Sequence, residues 1–425
     1  MQQWARFAIL GAMFVVAYLL ILAWQKDYGH AETQPQPQQA AAVSHEVSAD
    51  LPNAQTASAA SDMPQANIAT QQPATEAKAS VNQQLISVQT DLYHLWINPK
   101  GGDIVRIELL NHDKSKDSNE AFVMLESDAK RTYVAQSGLI GLNGPDSNRS
   151  GRPMYEIEKS AYTLNDAKAV QTEDGKSIKV LTVPMVLKTA DGVEIIKTFT
   201  FKQGEYPVVV NHKVVNRSGQ NWQGQMFGQL KRDNSDDPGK SDQGIFTLGT
   251  FLGGAWGSPE EHYNKLKFAN FNEEKLNVEA KGGWVAMVQH YFVSAWIPGD
   301  LKLTQANGQP YVAKLESRKS TDDMNIIGFT SPTITVPAGT VAEIDATFYS
   351  GPKVQSELKE LATGLNQTVD YGWLWPIAKL LFLGLEFFHG LVGNWGWAII
   401  LLTVLVKLIL WPLSSKSYRS MAKMR

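Results

Sequence analysis

Two residues with functional chemistry stand inside an otherwise apolar stretch near the end of this chain: Thr403 and Lys407, within Trp395–Pro412. The stretch is long enough to cross a bilayer, since about eighteen residues at 1.5 Å each give some 27 Å. A lysine inside such a span costs about 2.5–3.5 kcal/mol on insertion scales, so its presence calls for a reason. Two reasons stand open. Lys407 is five residues from Pro412, roughly 7–8 Å along a helix, and its stem nearly reaches the headgroups by snorkelling. Alternatively, Thr403 lies four residues earlier on the same helix face. A Thr and a Lys on one face make a polar, water-accessible groove on the cytoplasmic side, and such a groove needs partner helices.

Elsewhere the candidates for chemistry are weak. Asp174-Gly-Lys-Ser177 and Pro238-Gly-Lys-Ser241 look like the ends of phosphate loops, but Val170 and Asn234 stand where the earlier glycine is required. There is no His-Glu-x-x-His, and none of the eight histidines is paired at metal-ligand spacing. His212 and His290 fall in strand-like runs and read as core or surface residues. The acids Asp233, Asp236 and Asp237 read as a solvated loop, with calcium ligation as the alternative. The absence of cysteine removes disulfides, thiolate metal sites and cysteine nucleophiles together. A net charge of -3 implies no general affinity for nucleic acid. No catalytic residue, cofactor or metal is expected.

The elements that would position Thr403 and Lys407 follow from composition. Residues 1–25 form a transmembrane anchor: Phe7–Trp24 is uncharged, follows Arg6, and is longer than the apolar core of a signal peptide. A cleavable signal, ending at Gly29-His30-Ala31, is the other reading. Residues 26–83, rich in Gln, Ala, Pro, Ser and Thr, lack the large apolar side chains that would repay ordering, and read as a disordered linker. Residues 84–351 alternate in short runs between Gly, Pro and Asn turns, which predicts antiparallel sheets in a sandwich or barrel. Val193, Ile195, Phe199 and Phe201 share one strand face, and a further strand is expected over Trp284–Trp296. Pro352 opens a helix, 352–367, with Val354, Leu358, Leu361 and Leu365 on one side. Residues 375–393 form an amphipathic helix with a polar strip of Lys379, Glu386 and His389. Residues 394–413 form the second span, and 414–425 begin a basic segment. The tail carries Lys416, Arg419, Lys423 and Arg425 without an acid, so both termini read as cytoplasmic, which needs an even number of spans. The 375–393 helix should therefore lie in the outer interface and the β domain should be periplasmic. The fold class expected is mixed: an antiparallel all-β domain with transmembrane helices and one interfacial amphipathic helix.

Particular motifs resemble the YidC family of membrane protein insertases of Gram-negative bacteria. They are Thr368-Val-Asp-Tyr-Gly-Trp-Leu-Trp375, Val392-Gly-Asn-Trp-Gly396, the charged span, Ser420-Met-Ala-Lys-Met-Arg425, Lys281-Gly-Gly-Trp-Val-Ala-Met287, Tyr291-Phe292, Ala295-Trp-Ile-Pro298 and the Gly101-Gly102-Asp103 turn. The resemblance covers the whole chain and is weakest in the linker. It implies a periplasmic β-supersandwich similar in fold to sugar mutarotases but without sugar chemistry. It also implies an inner-membrane insertase and chaperone whose hydrophilic groove, open to cytoplasm and lipid, receives polar segments of nascent membrane proteins. Lys407 falls on the position of the groove's positive residue, often Arg in relatives, and Thr403 on a groove-facing position. The implied partners are nascent membrane proteins, the SecYEG translocon, SecDF, the ribosome at the cytoplasmic side, and the lipid bilayer. The family continues past the position of Arg425 into a cytoplasmic hairpin and four further spans, so the resemblance implies a fragment that is not insertion-competent alone. Two other readings compete: a membrane-anchored periplasmic carbohydrate-binding or epimerase-like enzyme, and an anchored scaffold.

Overall fold

The computed structural model describes residues 85–422 apart from 116–117, 149–150, 172–174, 239–250, 300–310, 321 and 370–374. The expected anchor 1–25 and linker 26–83, Asp174 and Gly239–Ser241 of the two loop motifs, and residues 423–425 lie outside this description. Alternation of apolar and polar residues builds the β domain strand by strand. In Tyr93–Asn98, Tyr93, Leu95 and Ile97 are buried while His94 and Trp96 are half-exposed. In Val193–Lys202 the buried set is Val193, Ile195, Lys197, Phe199 and Phe201. The chain is β-branched and aromatic on one face and polar on the other, the pattern of a half-buried strand.

Among the described residues the strands form two sheets, of eleven and ten strands. The first runs Asn277–Ala280, Ala313–Lys319, Asn325–Thr330, Trp222–Arg232, Thr132–Ile140, Ala121–Ser127, Asp103–Asp113, Tyr93–Asn98, Ile86–Gln89, Ala161–Thr163, with Ile334–Val336 also on Trp222–Arg232. The second runs Asn264–Lys267, Gly253–Gly257, Trp284–Val288, Phe292–Pro298, Val341–Pro352, Val208–Asn216, Val193–Lys202, Ser177–Lys188, Glu156–Ile157, with Lys168–Gln171 also on Ser177–Lys188. The pairings are antiparallel except that of Ile86–Gln89 with Ala161–Thr163. Leu95, Ile97 and Ile107 of the first sheet share one core with Val183, Ile195 and Phe199 of the second. Each such side chain contributes about 1.5–3 kcal/mol by burial. The arrangement is an antiparallel sandwich, as the alternation predicts.

Two elements differ from the sequence reading. Trp284–Trp296 is two strands, Trp284–Val288 and Phe292–Pro298, because Gln289-His290-Tyr291 turns the chain and Gln289 N bonds to Phe292 O at 3.0 Å. The helix expected to open at Pro352 opens at Gln355, since Pro352 still ends a strand, paired with Phe292. This helix, α1, is short, Gln355–Leu361. Gly364, at a left-handed φ of 85°, breaks it from the single turn Leu365–Thr368; the helix buries Leu358 and the turn buries Leu365 and Thr368.

Two longer helices follow, α2 (Trp375–Val392) and α3 (Trp395–Ala422). The stretch long and apolar enough to span, Trp395–Pro412, falls within the expected 394–413, and α3 itself runs on through Pro412 to Ala422. Proline removes one backbone donor, and the helix carries on past it, with Ser415 Oγ donating to Pro412 O at 3.0 Å.

Candidate functional site

The corner between α2 and α3 is made by Gly393 and Asn394. Gly393 sits at a φ of 65°, a left-handed conformation open to glycine, and its N–H closes α2 on His389 O at 2.7 Å. Asn394 caps α3: its Oδ1 accepts from Gly396 N at 2.8 Å and Trp397 N at 3.3 Å. His389 then stacks on Trp395, ring centroids 3.8 Å apart. From this corner α2 folds back on α3. A Cβ placed on Gly384 would lie 3.0 Å from Leu402, and Ala398 is fully buried. Leu402 and Val406 are half-buried, so the α3 stripe facing α2 is Ala398, Leu402 and Val406, at helical spacing.

Thr403 and Lys407 lie immediately beside that stripe, each one residue past a packed position, and both are exposed. Their spacing of four puts them on one flank, about 6 Å apart along the axis. The Thr403 hydroxyl donates to Ile399 O at 2.7 Å, turned back on its own helix. The rest of Trp395–Pro412 within α3 is apolar and largely uncovered: Ile399, Ile400, Val404, Leu408, Ile409 and Trp411 are all more than half exposed. A helix apolar on every side needs hydrocarbon or other helices around it. Trp395–Pro412 is long and apolar enough to span a membrane, with tryptophans at both ends where interfacial rings sit.

A second polar cluster lies inside the β domain. Gly101 and Gly102, with φ of 79° and 66°, turn Tyr93–Asn98 into Asp103–Asp113. Their carbonyls point inward, and the fully buried Lys197 Nζ donates to Gly101 O at 3.0 Å, Gly102 O at 2.9 Å and Ser137 O at 2.8 Å. Arg152 Nη2 donates to Gly101 O and Ser137 O, both at 2.8 Å, and to Asp103 Oδ1. Asp146 lies 3.2 Å from Arg152 Nε and accepts from Leu139 N at 2.8 Å. Burial, then the Arg152 charge, pushes the Lys197 ammonium down to about 7, while Asp103 and Asp146 pull the other way. Burial likewise raises the Asp146 carboxyl against the pull of Arg152. His212, also fully buried, has neither ring nitrogen partnered among the described residues, and burial holds it neutral. Lys197, Arg152 and Asp146 are largely buried and engaged with groups from both sheets, so the cluster ties the two sheets together. Lys197 escaped the sequence reading although it shares the face of Ile195 and Phe199.

The acids read as a solvated loop are instead engaged. Asp237 Oδ1 accepts from the fully buried Arg232 at 2.7 Å and from Gln289 at 2.6 Å, and Asp233 accepts from Thr132 N at 2.6 Å and Ser235 N at 3.0 Å. The cause is Arg232, which needs an anion where it is buried. Among the described residues no three His, Asp or Glu are grouped to hold a metal.

Residues 85–383 match the family described as YidC periplasmic domain, and residues 387–425 match the family described as 60Kd inner membrane protein. Curated relatives include the membrane protein insertase YidC of Pseudomonas putida KT2440, 42% identical over 422 residues, covering 99% of this chain and 71% of the relative. That of Stutzerimonas stutzeri A1501 is 43% identical over 424 residues, with the same coverage. Among solved structures, a galactose mutarotase related enzyme from Lactobacillus acidophilus matches at a TM-score of 0.37 and 10% identity, covering 63% of this chain and 97% of that one. That likeness is too distant to support the mutarotase expectation.

Proposed function

Since this chain belongs to the YidC family of membrane protein insertases, we propose that Lys407 and Thr403 line the groove through which it works. The chain is a membrane protein insertase of the inner membrane, and nascent membrane proteins are its substrates. The observation that carries the groove reading is the flank of α3: a cation and a hydroxyl exposed together, beside the stripe that α2 covers. An anchor that merely held a scaffold would have no use for an intramembrane cation.

The mechanism follows from charge and solvation. A lysine in a wet cavity lowers the cost of drawing a hydrophilic segment into the membrane. Its attraction to acidic substrate residues grows as the surroundings become less polar than water. The substrate's apolar helix then partitions into lipid, which supplies the driving force, with the membrane potential acting on any charge that crosses. No nucleotide enters this scheme. The remaining walls of the groove come from further helices packed against the open flank of α3. The protein is multi-pass, with a cytoplasmic N-terminus, the β domain in the periplasm and the basic end of α3 in the cytoplasm. It acts alone or beside SecYEG and SecDF, with the ribosome docking on the cytoplasmic face.

Depletion of the native insertase and complementation with the complete reading frame tests this. Lys407→Glu is expected to abolish or strongly impair growth and insertion while the β domain stays protease-resistant, and Lys407→Arg is expected to retain both. Normal insertion by Lys407→Glu would remove the charge from the mechanism.

A further inference from the structure

Helix α2 carries two apolar stripes, and its packing on α3 uses one of them. The half-buried side chains Ala378, Phe382, Leu385 and His389 recur at intervals of four, three and four and face α3. A second set, Ile377, Leu380, Phe387 and Leu391, is between 58% and 71% exposed. It lies on the other side of the helix from Lys379 and Glu386, which are exposed too. A helix with charges on one side and a bare apolar stripe on the other is suited to lie flat at a membrane surface.

The packed arrangement conflicts with a complete span. Gly384 and Leu402, nine residues either side of Gly393, are in close contact, so the two helices run back side by side. The 18 residues of α2 measure about 27 Å, the length of Trp395–Pro412. Packing therefore sets Trp375 level with the inner end of the span. The chain before Trp375 forbids this in a bilayer. Thr368 is fully buried, and its carbonyl accepts from Lys353 Nζ at 3.1 Å. Seven residues separate it from Trp375, at most roughly 25 Å of fully extended chain. With the β domain outside, residues 369–374 would have to cross the hydrocarbon as bare extended chain, Asp370 included. Peptide groups without partners are not tolerated there. The packed pair and the complete span exclude each other.

The corner is built to let α2 leave. Gly393 N–H closes α2 on His389 O, and Asn394 Oδ1 caps α3. Each helix is finished on its own, so the two residues between them can turn without unwinding either. Glycine reaches left-handed and extended backbone alike. Only the His389–Trp395 stack and the Gly384–Leu402 contact region have to part.

We propose that Gly393-Asn394 is a hinge with two stations for α2. It is packed on α3 when no bilayer separates the ends of the pair, and it lies flat on the outer leaflet, on its Ile377–Leu391 stripe, once α3 spans. This rests on the β domain lying outside and the basic end of α3 inside, as proposed above. Residues 1–425 contain no cysteine, so Gly384→Cys with Leu402→Cys reports the packed station by disulfide formation. The full-length protein, free of other cysteines, is oxidised with copper phenanthroline in spheroplasts and again after solubilisation in dodecyl maltoside. The disulfide is expected in micelles and about tenfold less in the bilayer. Gly393→Val puts a β-branched side chain at a φ of 65° and should cut the micelle disulfide about tenfold. In spheroplasts an impermeant maleimide should label Lys379→Cys about tenfold faster than Leu380→Cys, although both positions are exposed in the packed pair. Equal disulfide yields in micelles and bilayer, none in either, or equal labelling at the two positions overturn the hinge. So does a Gly393→Val protein that crosslinks like its parent. Proteinase K added to the same spheroplasts should digest the β domain. Protection of that domain overturns the topology, whereas digestion with an unchanged disulfide overturns the hinge alone.

Discussion

Lys197→Met separates charge from shape in the buried cluster. The ordinary lysine value of 10.5 falls to about 7 in the folded protein. Between pH 7 and 10 the unfolded chain therefore holds a proton at Lys197 that the folded chain has released. The state that binds more protons is favoured at low pH, so stability rises with pH in this window, by ~1.4 kcal/mol per unit for this group. The shifted histidines, and Tyr93, Tyr133 and Tyr349, stay out of it. His94, His112, His212 and His290 are all lowered by burial and titrate below it, while Tyr93, Tyr133 and Tyr349 are raised by burial and titrate above it. Removing the ammonium returns roughly 4–5 kcal/mol at pH 7, the product of the 3.5-unit difference (10.5 − 7) and the cost per unit. Against this, Gly101 O and Ser137 O keep Arg152, and only Gly102 O is left bare, at about 1–3 kcal/mol. The variant should thus match or exceed the parent at pH 7 and lose its advantage steadily towards pH 10. Urea unfolding in detergent at pH 7, 8, 9 and 10, read by near-ultraviolet circular dichroism of the buried Trp284 and Trp296, measures this. Parallel pH profiles for parent and variant would refute the reasoning, because the lysine would then have kept its ordinary proton affinity.

Gly101→Ala must adopt a φ of 79° and set its Cβ 2.1 Å from Arg152 Nε, so it should cost about 2–5 kcal/mol and lower the urea midpoint accordingly. Asp237→Asn leaves the buried Arg232 without its anion, and a loss of about 3 kcal/mol in the same assay is expected. Lys407→Glu, by contrast, should leave that midpoint unchanged while insertion fails, since the exposed flank of α3 takes no part in the β-domain core.

The sequence showed the period of the strands more readily than their partners. Tyr93, Leu95 and Ile97 announce a strand with one buried face, because burial of alternate side chains is a local pattern. That Ile86–Gln89 should pair in parallel with Ala161–Thr163, some seventy positions on, is not local and left no mark in composition. Trp284–Trp296 read as one strand because Gln289-His290-Tyr291 contains neither Gly nor Pro, the usual punctuation of a turn. Lys407 stood out because a cation in an apolar helix breaks its surroundings. Lys197 breaks its surroundings equally, with Ile195 and Phe199 to either side on its face, but strands commonly carry lysine outward. Only the carbonyls of Gly101, Gly102 and Ser137, 96, 95 and 60 residues away along the chain, explain why this one points in.

The sheet order bears on how the β domain carries load. The chain enters through Ile86–Gln89, which is held on one side by Tyr93–Asn98 and on the other by Ala161–Thr163. It leaves towards the membrane from Val341–Pro352, which lies between Val208–Asn216 and Phe292–Pro298 in the other sheet. Neither point of attachment is an edge strand. A pull along either strand loads the hydrogen bonds on both its flanks together, in shear, whereas a pull on an edge would break them one after another. A load applied through either strand is thereby met by ladders that resist as a unit.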